Sequence, residues 1–417
     1  MNLHEHLFRH EAGRMTASLT RLFGVHNLAL AEDVVQDAFC RALEVWKVRG
    51  VPANPAAWLM TTARNCALDL IRRERTGRTF APELGRLLET EWTLAAVVDE
   101  AFRVRMVLDE QLRMMFSCCH PDLAEPVQIA LILNILCGFG SAEIAAAFLT
   151  GRAAIEKRIS RGKKVLADSR TLFTLSDRDF ATRLSAVHRA LYLLFSEGYH
   201  GSSKEGAVRV ELCDEAMRLS GLLRDHQATS TPATNALSAL MCLHAARLST
   251  RVDAAGELHA LWDQDRSSWN RQLIAEGRAL LDRSAEGGTL TAYHVEAAIA
   301  AVHAAAPSIE TTDWGAIIAL YERLMTIAPS PVVALNRVIA IAQRDGAPRA
   351  IEALEAVVDR DRLEVYPFYS ATLGELEMRR GDSAQALVHF TRAISLARND
   401  PERRFLESRR RDCEVVG

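Results

Sequence analysis

Apolar residues recur at helical spacing along almost the whole chain, and the clearest stretch lies between Ala31 and Arg78. Val35, Ala38, Phe39, Ala42 and Trp46 fall at i, i+3, i+4, i+7 and i+11, which is one stripe of a helix. Asp33, Gln36, Asp37, Arg41 and Glu44 lie off that stripe. Val51-Pro52 and Asn54-Pro55 then interrupt the pattern, because proline ends the helix before it. A second stripe follows in Leu59, Ala63, Cys66, Ala67 and Leu70, while Arg64, Arg72 and Arg75 share another line broken only by Leu68. Upstream, Leu7, Met15, Leu19 and Leu22 define an earlier helix over 3–24, with Gly24 as its stop. Three helices ending near Arg78 thus form one predicted unit, 1–78, with an acidic helix surface followed by a basic one.

Residues 79–108 change character. Pro82, Gly85 and the acids Glu83, Glu89, Glu91, Asp99 and Glu100 read as a partly extended acidic linker. Helical periodicity returns at Asp109 and marks a second unit, 109–170. Ser141–Phe148 is a short helix, Leu149-Thr150-Gly151 a turn, and Arg152–Leu166 a longer helix, the plan of a helix–turn–helix. Ile155, Ile159 and Leu166 point inward on that last helix. Lys157, Arg161 and Lys164 form a basic stripe opposite, flanked by Arg158 and Lys163, with Arg152 at the start.

Beyond Thr171 the pattern stays helical, as a first extension over 171–289 and a repetitive part over 290–417. Ile317, Ala350 and Ala386 occupy equivalent positions of a loose repeat of the type A-x-x-x-Y/F-x-x-A. That stretch resembles degenerate tetratricopeptide repeats, helix pairs stacked into an array.

Composition sharpens this picture. Apolar residues make up 49% of the 417 and aromatic ones only 6%, which suits packed helices better than a sheet and predicts an all-α protein of several domains. The net charge of −3 argues against a general polyanion binder, yet residues 152–170 hold seven basic side chains against two acidic ones. A focused nucleic-acid contact fits that distribution. The N-terminal MNLHEHLFRHEAGRM has charges where a secretory signal needs an apolar core, and the longest apolar run, Val127–Phe139, is too short to span a bilayer. A cytoplasmic protein without membrane contact is expected, its eight cysteines reduced and mostly buried.

Two phrases in the opening stretch, AEDVVQDAF and AAWLMTTARNCALDLIRRER, resemble regions 2.2 to 2.4 of bacterial sigma factors of the extracytoplasmic-function (ECF) type. AIEKRISRGKK resembles the recognition helix of region 4.2, with Glu156 and Gly162 as departures from the family pattern. TAYHVEAAIAAVHA, TTDWGAIIALYERL and SPVVALNRVIAIA resemble the tetratricopeptide-like C-terminal extension of one ECF subgroup. The resemblance implies core RNA polymerase and promoter DNA as partners. It puts Asp33, Gln36 and Asp37 against the polymerase clamp, and Arg64, Asn65, Arg72, Arg73 and Arg75 on the melted −10 strand, with a base pocket in the Lys47–Asn54 loop. It assigns Arg152, Lys157, Arg158, Arg161 and Lys164 to duplex −35 DNA, as base or phosphate readers. Residues 79–108 become the linker between the two promoter-binding domains. The extension either masks the DNA-binding face or supports polymerase binding, through a contact with the sigma domains.

No catalytic constellation stands out, and neither a cofactor nor a metal is expected. Cys118-Cys119-His120 lacks the spacing of a zinc knuckle and reads as buried thiols at a helix end. Glu197-Gly198-Tyr199 reads as a helix C-cap, and Asp263, Asp265 and Arg266 as structural ion pairs. A helix–turn–helix activator with a tetratricopeptide sensor domain is the alternative; it would bind duplex DNA without needing the Asp33–Arg75 stretch.

Overall fold

The structure, a computed structural model, describes residues 3–24, 27–73, 104–147, 150–168, 176–200, 208–253 and 256–416. Among these the secondary structure is helical, with one isolated β-bridge between Val252 and Leu258. The protein is all-α, as its periodicity predicts, and divides into two compact units. The first comprises residues 1–194 and 225–229, and the second 195–224 and 230–417.

Three helices open the first unit: α1 (Leu3–Phe23), α2 (Leu28–Arg49) and α3 (Pro55–Arg73). Their predicted stripes converge on one core of Met15, Leu19, Phe23, Val35, Ala38, Phe39, Leu59, Ala63 and Ile71. Leu68, read as a gap in an arginine line, belongs to that core, whereas Leu70 is only partly buried. Phe8 stacks on Phe39 at 4.5 Å, and Trp58 packs edge-on against Trp46 at 5.4 Å. Trp58 is therefore a packing residue at the start of α3.

Next comes α4 (Val104–Cys118), which begins inside the segment read as linker. Cys118 and Cys119 are buried at its end, where burial pushes the Cys119 thiol up to about 12. The apolar run 127–139 then becomes α5 (Glu125–Leu131) and a π-helical turn, Ile132–Leu136. Its apolar residues Ile129–Leu133, Ile135–Cys137 and Phe139 are buried. The two polar residues that interrupt it bond to loop carbonyls: Gln128 Nε2 donates to the carbonyls of His120 and Leu123, and Asn134 Nδ2 to that of Phe139. The π turn carries α1 directly on its surface. A Cβ added to Gly13 would lie 2.1 Å from the Leu136 carbonyl oxygen, so only glycine permits that approach. Arg21 of α1 also pairs with buried Glu110 of α4 at 2.9 Å.

Two further helices follow, α6 (Ser141–Ala147) and α7 (Arg152–Asp168). Gly162, an unexpected residue in mid-helix, has a packing reason. A Cβ there would meet Leu131 at 2.8 Å and Val127 at 2.9 Å, so α7 lies tight on α5. The division between the two units runs through α8 (Asp177–His200). Phe180 of α8 packs edge-on against Phe116 at 4.7 Å, and Arg183 donates to the Phe116 carbonyl. Nor is Gly198 a C-cap, because α8 continues through His200. The missing side chain makes room for Cys213 and the Arg209 carbonyl, each under 3.0 Å from the site of a Cβ.

The second unit continues through α9 (Val210–Asp225), α10 (Pro232–Ala245), α11 (Leu248–Arg251), α12 (Arg271–Ser284) and α13 (Ala292–Ala305). The helical pattern expected beyond Thr171 is interrupted at Leu261–Asp263 and Arg266–Ser268, which are short 3-10 turns. Asp265 there bonds to Ser267 and Ser268, and Arg266 donates to the carbonyls of His303 and Ala306. Backbone anchoring thus replaces the expected ion pairing. Then follow α14 (Trp314–Ile327), α15 (Pro331–Asp345), α16 (Ala347–Glu355), α17 (Pro367–Arg380), α18 (Ser383–Ser395) and α19 (Asp400–Val416). Asp313, Ser330 and Asp382 cap three of these helices through their side chains. Ile317, Ala350 and Ala386 each sit four residues into their helices, fully buried. The repeat therefore marks the same packing position three times.

Candidate nucleic-acid interface

On α2, the face opposite the core presents Asp33, Gln36 and Asp37, all exposed. None of the three makes an ion pair among the described residues, the i+4 neighbour Arg41 of Asp37 included. Burial of the apolar stripe forces this face outward, and the absence of partners leaves its charge available.

The loop between α2 and α3 is Gly50–Asn54, because Lys47–Arg49 still belong to α2. That is shorter than the expected Lys47–Asn54 loop. Asn54 accepts a hydrogen bond from the Ala57 amide at 3.0 Å and so caps α3. Arg64, half-buried, and Asn65, exposed, sit side by side, with Arg64 Nη1 donating to Asn65 Oδ1 at 3.0 Å. Arg72 and Arg73 are in the last turn of α3, but their side chains lie outside the described residues, as does Arg75 entirely.

Across α7, Ile155, Ile159, Gly162 and Leu166 are buried, which turns Lys157, Arg161 and Lys164 outward into solvent; Arg158 is half-buried. Lys157, Arg158, Arg161 and Lys164 make no ion pair among the described residues. Arg152 differs from them. Its Nε donates to Glu156 at 2.7 Å, and Ser141 Oγ donates to the same carboxylate oxygen at 3.1 Å. These bonds hold the Glu156 carboxyl below its ordinary range. Arg152 and Glu156 thus cancel locally, leaving the charge in the middle of the helix.

One contact on this helix is not legible in the sequence, where Lys163 only flanks the basic stripe. Lys163 reaches Glu32 of α2 at 2.6 Å, joining α7 to the opening three helices. The two residues are 131 positions apart, and no local spacing could reveal the pair. No group of His, Cys, Asp and Glu among the described residues is placed to hold a metal ion, and no described helix is long and apolar enough to cross a membrane.

Residues 7–76 match the family model described as Sigma-70 region 2, and residues 183–285 match a Family of unknown function (DUF6596). The chain is 39% identical over 392 residues to an uncharacterized protein of Rhizobium meliloti (strain 1021), covering 93% of this chain and 90% of the relative. No solved structure gives a significant match. The region 2 match supports a role in transcription initiation, with core RNA polymerase and promoter DNA as partners in general.

Proposed function

We propose that this chain, which belongs to one family with the uncharacterized Rhizobium meliloti protein, is a sigma factor of the ECF type acting in the cytoplasm. The observation that carries the reading is the arrangement inside the region 2 match. An exposed, unpaired acidic row on α2 is followed, one capped loop later, by Arg64 and Asn65 on α3. Asp33, Gln36 and Asp37 dock on core polymerase. Arg64, Asn65, Arg72, Arg73 and Arg75 hold the melted −10 strand, where cations meet the backbone and planar groups meet extruded bases. Lys157, Arg158, Arg161 and Lys164 engage duplex −35 DNA, and Arg152 sets the helix start through Glu156. The second unit is a tetratricopeptide-like extension that supports this activity.

Two elements named −35 and −10 lie about 25 base pairs apart, or about 85 Å along B-DNA. A helix–turn–helix bridged to α2 by Lys163 and Glu32 cannot occupy both. The first unit therefore opens on the promoter, with the Lys163–Glu32 pair broken. The test is transcription in vitro with purified core polymerase on a promoter library, with the start sites sequenced. Reproducible starts downstream of a shared pair of elements support the assignment. DNA binding with no transcript at any template would overturn it.

A further inference from the structure

A cavity of about 300 Å³ lies within the second unit. That is the lower end of the range for small-molecule sites. Its floor and walls are apolar and aromatic, built by Leu335, Leu376 and Phe390 with Trp262, Tyr366 and Phe368. Four arginines line it against one carboxylate, Glu375. Two of them are satisfied by that group: Arg409 at 2.6 Å and Arg379 at 3.5 Å.

The other two, Arg247 and Arg251, have no carboxylate among the described residues. Arg251 lies 4.4 Å above the Tyr199 ring, with Nη2 3.3 Å from His200 Nδ1 and a buried Nε that has no acceptor. Arg247 donates from Nε to the neutral Gln264 at 3.1 Å and lies near the faces of Tyr199 and Trp269. Burial and the neighbouring Arg251 and Arg266 push the Arg247 guanidinium below its ordinary value. His244 is held at about 3 by burial and by Arg247 and Arg251, so it adds no charge but also offers no anion. Cations gathered beside one another without a counter-charge are costly, and an anion entering the cavity would relieve that cost.

We propose that this cavity binds a small organic anion, a carboxylate carried on an apolar, ring-containing body, with Arg247 and Arg251 gripping the carboxylate and the aromatic walls enclosing the body. The cavity is sized for one such molecule and not for an extended polypeptide. This assignment concerns the second unit alone and stands apart from the promoter reading.

The experiment uses the purified full chain with 2-naphthoate as probe and 2-naphthylmethanol as its uncharged counterpart, by titration calorimetry and by quenching of tryptophan fluorescence. Saturable binding of one naphthoate per chain is expected, with the alcohol at least tenfold weaker. Arg251→Gln and Arg247→Gln should each weaken naphthoate by about tenfold to a hundredfold, the loss of a charge-assisted bond. Trp262→Phe should abolish most of the quenching while preserving the heat of binding. Equal affinity for the alcohol, or no binding of naphthoate, overturns the proposal on the native protein alone, whatever the stability of the variants. Undiminished binding in both folded arginine variants overturns it as well.

Discussion

Replacing Gly13 by alanine tests whether α1 is seated on the π turn Ile132–Leu136. The new methyl group would sit 2.1 Å from the Leu136 carbonyl oxygen and 2.8 Å from its carbon. Ordinary contact begins near 3.4 Å, and the obstacle is backbone in a buried π turn, which cannot swing aside. Helix α1 must therefore retreat by more than about 1 Å, a gap that forfeits a quarter to a half of each contact it opens. Overpacking of this kind costs about 1–3 kcal/mol, against which alanine returns about 1 kcal/mol of helix propensity. The backbone obstacle puts this site at the upper end of the cost, for a net loss of about 1–2 kcal/mol. A chain of two units does not unfold in one step, so the readout must be local. Amide hydrogen exchange in α1 and in residues 132–136 should accelerate about fivefold to thirtyfold, with the second unit unchanged. Gly162→Ala serves as a comparison, because its methyl would meet side-chain methyl groups of Leu131 and Val127 and not backbone. There propensity and crowding nearly offset, and exchange should change little. Unchanged or slower exchange in α1 of Gly13→Ala would show that the two parts are not packed as described.

Charge reversal at exposed Asp33 should abolish co-purification with core polymerase while leaving the helical circular dichroism intact; retained binding removes the docking assignment. Arg161→Ala should weaken −35 binding by about 1–3 kcal/mol and relax selectivity at one or two base pairs. A uniform loss across sequences, with a shallower salt dependence, would make Arg161 a phosphate contact instead. Stability should also fall with acid. Burial alone holds His188 at about 4, whereas the unfolded histidine titrates near 6.5, so its contribution is complete above about pH 6.5 and drains away as the pH falls toward 4. At about pH 5 the loss is on the order of 2 kcal/mol, and His188→Gln should flatten the thermal stability profile over that window. Identical slopes in the two proteins would refute the burial argument.

What local patterning could determine, it determined well. The stripes on α2 and α7 place Val35, Trp46, Ile155 and Leu166 inside and Asp33, Gln36, Lys157 and Arg161 outside, because helical period alone decides which side of a helix must leave water. Asp313 and Ser330, with Pro331 after it, are boundaries legible for the same local reason: their side chains satisfy the helix's own first amides. Tertiary structure decided everything that depends on which surfaces meet. Gly13, Gly162 and Gly198 look alike as helix-weakening residues, and only the backbone or side chain lying against each one explains its presence. The run 127–139 announces burial but not a π turn, whose register follows from the helix seated on it. Lys163 is one more lysine on a basic helix until folding brings it to Glu32. Arg247 and Arg251 carry no motif either, since their unmatched charge becomes visible only when Trp262, Leu335 and Phe390, far apart in the chain, close around them. Periodicity records the direction a side chain faces, whereas its partner is set by chain crossings that sequence spacing does not encode.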